Sequence, residues 1–166
     1  VYNMDTKQKL QKAVTDVLKL IESDNKSKAI EKIWAFKGEE KTDRFILICM
    51  LISYAQQKGS YDVARTALDA FERIKKDTPK DANLYYDIAN GYQVLFELTT
   101  KNDFSKAYEC EDIVKNAINY FGKALSDNPN AYTNFGNLYD SIGRPVDAID
   151  YYEKALNFDK DFGMAL

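Results

Sequence analysis

Apolar residues recur along the chain at the three-and-four spacing of amphipathic helices, and polar breaks divide them into pairs. Thr6 to Ser23 carries Leu10, Val14, Val17, Leu18 and Ile21 on one face, with Asp5 or Thr6 placed to cap its start. Asp24-Asn25-Lys26-Ser27 reads as a turn whose serine caps a second helix, with Ala29, Ile30, Ile33, Trp34 and Phe36 on the apolar side. Lys37-Gly38 is expected to end that helix, since glycine commonly sits just past a helix. Thr42 is expected to cap a strongly apolar helix running to Lys58, and Gly59-Ser60-Tyr61 turns it into a partner from Asp62 to about Lys76. Thr78-Pro79-Lys80-Asp81 closes this pair, because proline cannot continue a helix but can precede a new one.

Ala82 to about Leu98 opens a third pair, with Tyr85, Ile88, Ala89 and Tyr92 on one face. Its partner holds Ala117, Phe121, Ala124 and Leu125 and is expected to stop at Ser126-Asp127-Asn128-Pro129. The clearest stretch follows, Ala131 to Asp159. There Tyr132, Phe135, Gly136 and Tyr139 share one face, a turn falls at Ser141 to Pro145, and Ala148, Ile149, Tyr152, Ala155 and Leu156 share the next. Gly136 and Ala148 leave almost no side chain where two antiparallel helices would come closest. Tyr85, Ile88, Ala89 and Tyr92 match the first of these sets one for one, and Ala64, Leu68 and Phe71 repeat the spacing of the second, so the chain is internally repetitive. The third pair is anomalous. Tyr92 to Ala117 spans 25 residues where Tyr139 to Ala148 spans 9, which is 16 more. Shared out, that lengthens both helices by about two turns each; a short extra helix, capped by Asp103 or Ser105, is the alternative. Phe162 to Leu166 reads as the opening of a further element. The chain starts without methionine and breaks off inside a pattern, so a longer parent is expected.

The paired pattern of aromatic, apolar-glycine and tyrosine followed by alanine, tyrosine and Ala-Leu resembles the tetratricopeptide (TPR) repeat. Lys160 departs from it, standing where the family usually has proline, and the pair at 6–38 is degenerate. The resemblance implies an all-α, TPR-type right-handed superhelical solenoid of antiparallel helix pairs in a single domain. Its repeats would be 6–38, 42–77, 81–128 with the insertion, and 130–160, and a further helix would start at 162–166. It also implies a non-catalytic module for protein–protein interaction, in which the first helix of each pair lines a concave groove.

The register set by Gly136 assigns Asn130, Thr133, Asn137, Asp140 and Ser141 to that groove in the last repeat. It assigns Asn83, Tyr86, Asn90, Gln93 and Val94 before it, and Ile46, Cys49, Ser53, Gln56 and Gln57 before that. Asn90 and Asn137 occupy equivalent positions. An amide is both donor and acceptor, so the two are expected to grip the main chain of an extended peptide while Tyr86 and Val94 take its side chains; a merely hydrated surface is the alternative. Some TPRs hold a partner's terminal carboxylate with groove lysines, but Thr133 and Tyr86 stand at those positions. The lengthened helices offer a second, aromatic surface at Tyr92, Phe96, Phe104 and Tyr108, suited to a protein partner or to a second copy of the chain. A spacer role is a third reading. The ending from Gly143 to Leu166 is also similar to prokaryotic proteins in which TPRs precede a HEPN-type domain, which would make this the regulatory part of a ribonuclease or defence protein. The Arg and His pair of such a nuclease would lie past Leu166.

Composition narrows these readings. The 166 residues are 45% hydrophobic and 30% charged, enough for a core and ordinary for a helical protein. With 23 basic and 26 acidic residues and a net charge of −3, there is no basic stripe for nucleic acid or an anionic membrane. The longest apolar run, Phe45 to Ile52, is far short of the roughly 20 residues that span a bilayer, and no signal peptide is visible. Histidine is absent, which removes the commonest general base and zinc ligand. There is no phosphate-binding glycine loop and no CxxC pair. Glu39-Glu40 and Glu109, Glu111 and Asp112 read as solvated acids, so no catalytic residue, cofactor or metal is expected. Cys49 and Cys110 form no motif; Cys49 is expected to be a buried, inert thiol in a reducing cytosol. Trp34 is expected in the core.

Overall fold

The computed structural model describes residues 5–125 and 130–161, the side chains of the last four excepted, and among them every regular element is helical. The α-helices are α1 (Thr6–Glu22), α2 (Lys26–Ala35), α3 (Asp43–Lys58), α4 (Tyr61–Ile74), α5 (Ala82–Thr100), α6 (Glu111–Ala124), α7 (Asn130–Ser141) and α8 (Pro145–Asp161). Short 3-10 segments lie at Lys75–Asp77 and Phe104–Cys110. The all-α class of paired helices expected from the pattern is what the chain adopts. It divides into two compact units, Val1–Lys80 and Asp81–Leu166. The expected helix stop at Ser126 to Pro129 and the expected new element at Phe162 to Leu166 lie outside the described residues. No helix among the described residues is long and apolar enough to cross a membrane.

Three of the pairs close with the same device. Asp24, Gly59 and Gly143 each take a left-handed backbone, with φ of 57°, 65° and 79°. The next N–H then reaches back to a carbonyl in the last turn of the first helix: Asn25 to Leu20 at 2.8 Å, Ser60 to Ala55 at 3.0 Å and Arg144 to Tyr139 at 2.8 Å. This closure satisfies carbonyls that a helix end would leave open and reverses the chain at once. Asp24 tolerates the conformation because a short polar side chain does so best after glycine.

In the N-terminal unit, α1 starts with a capping box: the Asp5 carboxylate accepts the Gln8 N–H, and Gln8 accepts the Asp5 N–H. The core is mainly aliphatic, with Val17, Ile33, Leu47, Ile48, Leu51 and Leu68 fully enclosed around the edge-to-face pair Phe45 and Phe71. Several local expectations are corrected. Asn25, not Ser27, precedes α2, and no side chain caps it. Thr42 makes no capping hydrogen bond; instead the Asp43 carboxylate accepts the Glu40 N–H at 2.9 Å. α2 ends at Ala35, before Gly38, whose missing side chain leaves room for Asp43. Trp34 is 47% exposed rather than core. The buried stripe of this short helix is Ala29 and Ile33, and Trp34 lies one step around from it. For the same reason Cys49, beside the buried stripe of α3, is half-buried rather than buried.

In the C-terminal unit, α6 is as long as α4 at 14 residues, while α5 reaches 19. The insertion therefore lengthens one helix and adds the seven-residue 3-10 segment ahead of the other. Asp103 caps that segment, and the tight left-handed turn of the other pairs is missing. Six consecutive residues of α5, Gly91 to Phe96, are buried. At 100° per residue, six in a row go fully around the helix, so this stretch has no open face. Gly136 works as expected: a Cβ there would stand 2.7 Å from the Tyr152 ring and 3.2 Å from the Ala148 carbonyl.

Candidate functional site

The first half of α5 and the whole of α7 present the residues that the groove expectation singled out. Asn83, Tyr86 and Asn90 fall at i, i+3 and i+7 on α5, and Asn130, Thr133, Asn137 and Asp140 fall on one face of α7. The two faces are joined by Asn134. Its amide nitrogen donates to the Tyr86 hydroxyl at 2.6 Å and to the Asn90 carbonyl oxygen at 3.0 Å. Its own oxygen accepts from the Asn137 amide at 3.3 Å, and the Asn137 oxygen accepts from the Tyr152 hydroxyl of α8 at 2.7 Å. Three helices are thus laced by one polar network. Partial burial and the Asp140 carboxylate push the Tyr152 phenol up, which keeps it a donor.

This arrangement changes the roles expected of the two asparagines. Each of their oxygens already accepts one hydrogen bond within the protein, which leaves a single acceptor site on each. What they present outward is mainly N–H: two donors at Asn90 and one at Asn137. Asn83, Asn130, Thr133, Asn137 and Asp140 are exposed, and Tyr86 and Asn90 are half-buried. Gln93 and Val94 are corrected: both are buried in the enclosed stretch of α5, and Gln93 donates to Glu97 at 3.4 Å. In the N-terminal unit Ile46, Ser53, Gln56 and Gln57 are exposed on α3, with Cys49 half-buried among them.

Neither α5 nor α7 contains a lysine or arginine. Asp87, on the same side of α5 as Asn83 and Asn90, has its carboxyl pushed up by partial burial and by nearby Asp81. With Asp140 it makes the face acidic. No group of three or more carboxylate or thiol side chains suited to a metal occurs among the described residues.

Under the polar face lies an aromatic layer. Phe121 meets Tyr86 at 6.4 Å and Phe135 at 5.7 Å, and Phe135 meets Tyr139 at 5.1 Å and Tyr151 at 4.2 Å between ring centres. Arg144 and Lys154 then close the two ends of the stacked Tyr139 and Tyr151 pair. These contacts fix α5, α6, α7 and α8 against one another and so hold the network in place.

The expected aromatic projection is reduced. Phe96 is buried at 2% exposure, and Tyr92 is buried in a stack on Tyr120 at 6.2 Å. Phe104 and Tyr108, on the 3-10 segment, are 61% and 79% exposed.

Residues 129–162 match the tetratricopeptide repeat family. The match spans α7 and α8, the pair whose spacing carries the resemblance in sequence, and it extends to no HEPN-type domain. Repeats of this family serve protein–protein interaction, which points to a protein partner. Among curated proteins nothing matches the chain. Two participants in the site were not singled out from sequence as polar groups: Asn134, the hub, and Tyr152, which reads as a core aromatic. The one available signal was the alignment of α7 with α5, in which Asn134 matches another polar residue, Asp87.

Proposed function

We propose that the face formed by α5 and α7 binds an extended segment of a partner protein. Asn90 and Asn137 donate hydrogen bonds to its main-chain carbonyls, and Asp87 and Asp140 face a basic side chain. The observation that carries this reading is the Asn134 network, because it fixes the two donor amides before any partner arrives, and groups already held lose less freedom on binding. The absence of any cation on these two helices removes the counterpart of a terminal carboxylate and favours a cationic or neutral segment. Selection of a random twelve-residue peptide library displayed on phage, with the whole chain as bait, tests it. Enrichment of lysine- or arginine-containing peptides whose binding shifts the side-chain NH2 resonances of Asn90 and Asn137 is expected. Peptides that leave those resonances in place would contradict it.

Phe104 and Tyr108 support a second contact surface, because two large aromatic side chains stand in solvent on one short segment. A homo-oligomer joined there would weaken on Phe104→Ser with Tyr108→Ser. An association constant unmoved by that pair, measured by sedimentation, would remove the reading.

A further inference from the structure

The N-terminal unit carries an open cleft of about 960 Å³, bounded by the end of α2, the loop after it, the start of α3 and the segment following α4. Its walls are built rather than loose. Arg44 donates to the Trp34 carbonyl at 3.0 Å and pairs with Asp77 at 3.7 Å, tying the end of α2, α3 and the chain after α4 together. Asp43, only 5% exposed, accepts the Glu40 N–H, and Gly38 packs so closely on Asp43 that a side chain there would collide.

Three properties of the cleft define what fits it. Its apolar wall is Trp34, Phe36 and Pro79, and Trp34 is half exposed even though the Arg73 guanidinium sits over its ring at 4.9 Å. The loop backbone beside that wall is open: the N–H groups of Lys37, Gly38 and Glu39 make no hydrogen bond among the described residues. Its charges cancel, Lys37, Lys41 and Arg44 against Glu39, Glu40 and Asp77. The complement is a chain that offers bare carbonyls, presents flat apolar rings and carries no net charge. A polyproline II segment does all three, since its carbonyls are unpaired and its rings stack on aromatic side chains.

We propose that this cleft binds an uncharged proline-rich segment of a partner protein, held by Trp34 and Pro79 and by the N–H donors of Lys37 to Glu39. Trp34 is the single tryptophan of the chain, so its emission reports on the cleft alone. The probes are acetyl-hexaproline-amide and, as a flexible uncharged control, acetyl-(Gly-Ser)3-amide, added to the whole chain. Hexaproline is expected to shift the emission to the blue with saturation, and the control to leave it unchanged. Lys37→Pro removes one donor, and Phe36, with ψ at 131°, already adopts the backbone that a following proline requires. It should weaken binding about tenfold, while Lys37→Ala, which keeps the N–H, should bind like the parent. Circular dichroism of both variants checks that the helices persist. The proposal is overturned if no saturation occurs up to about 10 mM peptide, or if the control peptide acts equally. It is also overturned if the emission follows protein concentration alone, which would mean a second copy of the chain on Trp34, or if Lys37→Pro and Lys37→Ala bind alike.

Discussion

The two units are built from the same helix pairs but braced by different forces. In Val1–Lys80, ion pairs run between elements: Lys32 of α2 to Asp16 of α1 at 3.2 Å, Lys26 of α2 to Asp69 of α4, and Arg44 of α3 to Asp77. In Asp81–Leu166, the described ion pairs join neighbours three or four residues apart, such as Lys115 with Glu111 and Arg144 with Asp147. There the bracing between helices comes from the rings around Phe121 and Phe135 and from the Asn134 network. Surface ion pairs are weak and screened by salt, whereas ring contacts and half-buried amides are much less so. The C-terminal unit, whose amide network underlies the proposed recognition face, is therefore held by the interactions that depend least on its medium.

The largest test of this contrast is Phe121→Ala. It removes a fully enclosed ring and should cost the C-terminal unit about 3–5 kcal/mol. Hydrogen exchange should show faster opening of α5 to α8 and unchanged protection in α1 to α4. Gly136→Ala comes next, at about 1–3 kcal/mol, because the new methyl must displace the Tyr152 ring and meets the Ala148 carbonyl. Urea unfolding would read that loss, and the Tyr152 to Asn137 hydrogen bond should go with it. Asn134→Ala should cost about 1–2 kcal/mol, measured in the same way, and release Tyr86, Asn90 and Asn137 from one another.

The smallest effect separates the units by pH. Burial alone would raise the Asp69 carboxyl, but Lys26 and Arg65 together outweigh it and hold it low; Lys12 and Lys32 hold Asp16 low. A carboxyl lowered by folding stabilises the protein above its unfolded pKa of about 4 and stops doing so as pH falls through the lower folded value. Asp87 and Glu97 have the opposite sign, both raised by partial burial, Asp87 further by Asp81 and Glu97 partly relieved by Gln93. They destabilise the folded unit above pH ~4 and cease to as pH falls. Asp103 and Glu111, held low by Ser105 and Lys115, offset part of this from an exposed position. Acidification from pH 6 to pH 3 should thus weaken α1 to α4 by about 0.5–1 kcal/mol per depressed carboxylate at most and α5 to α8 less, as residue-resolved exchange would show. Asp69→Asn should remove much of the difference.

How much of this was legible in the sequence follows from range. The helix pairs, the Asp5 cap and the close approach at Gly136 rest on residues within a few turns of one another, and they came through. The division of the insertion did not, because nothing local distinguishes a seven-residue 3-10 segment from the first turns of a helix. Trp34 and Phe96 were misplaced in opposite directions, one exposed and one buried, because a period of 3.6 defines a stripe but not its width. The exposed polar positions in the first half of α5 and along α7 were legible as a periodic pattern, from which Gln93 and Val94 drop out because they are buried. The union of the two faces was not, since Asn134 reaches Tyr86 and Asn90 across 48 and 44 residues, and an asparagine on a helix gives no sign of which distant partner it will choose.

The most direct test of the proposed recognition face is the affinity of a library-selected peptide for the chain carrying Asn90→Ala and Asn137→Ala together. Both substitutions remove outward donors from half-buried or exposed positions and leave the ring layer beneath intact. A loss of about tenfold or more, with α5 to α8 still protected from exchange, is the result predicted. Unchanged affinity in a folded double variant would show that the partner does not rest on these two donors and that the asparagines serve the helix network alone.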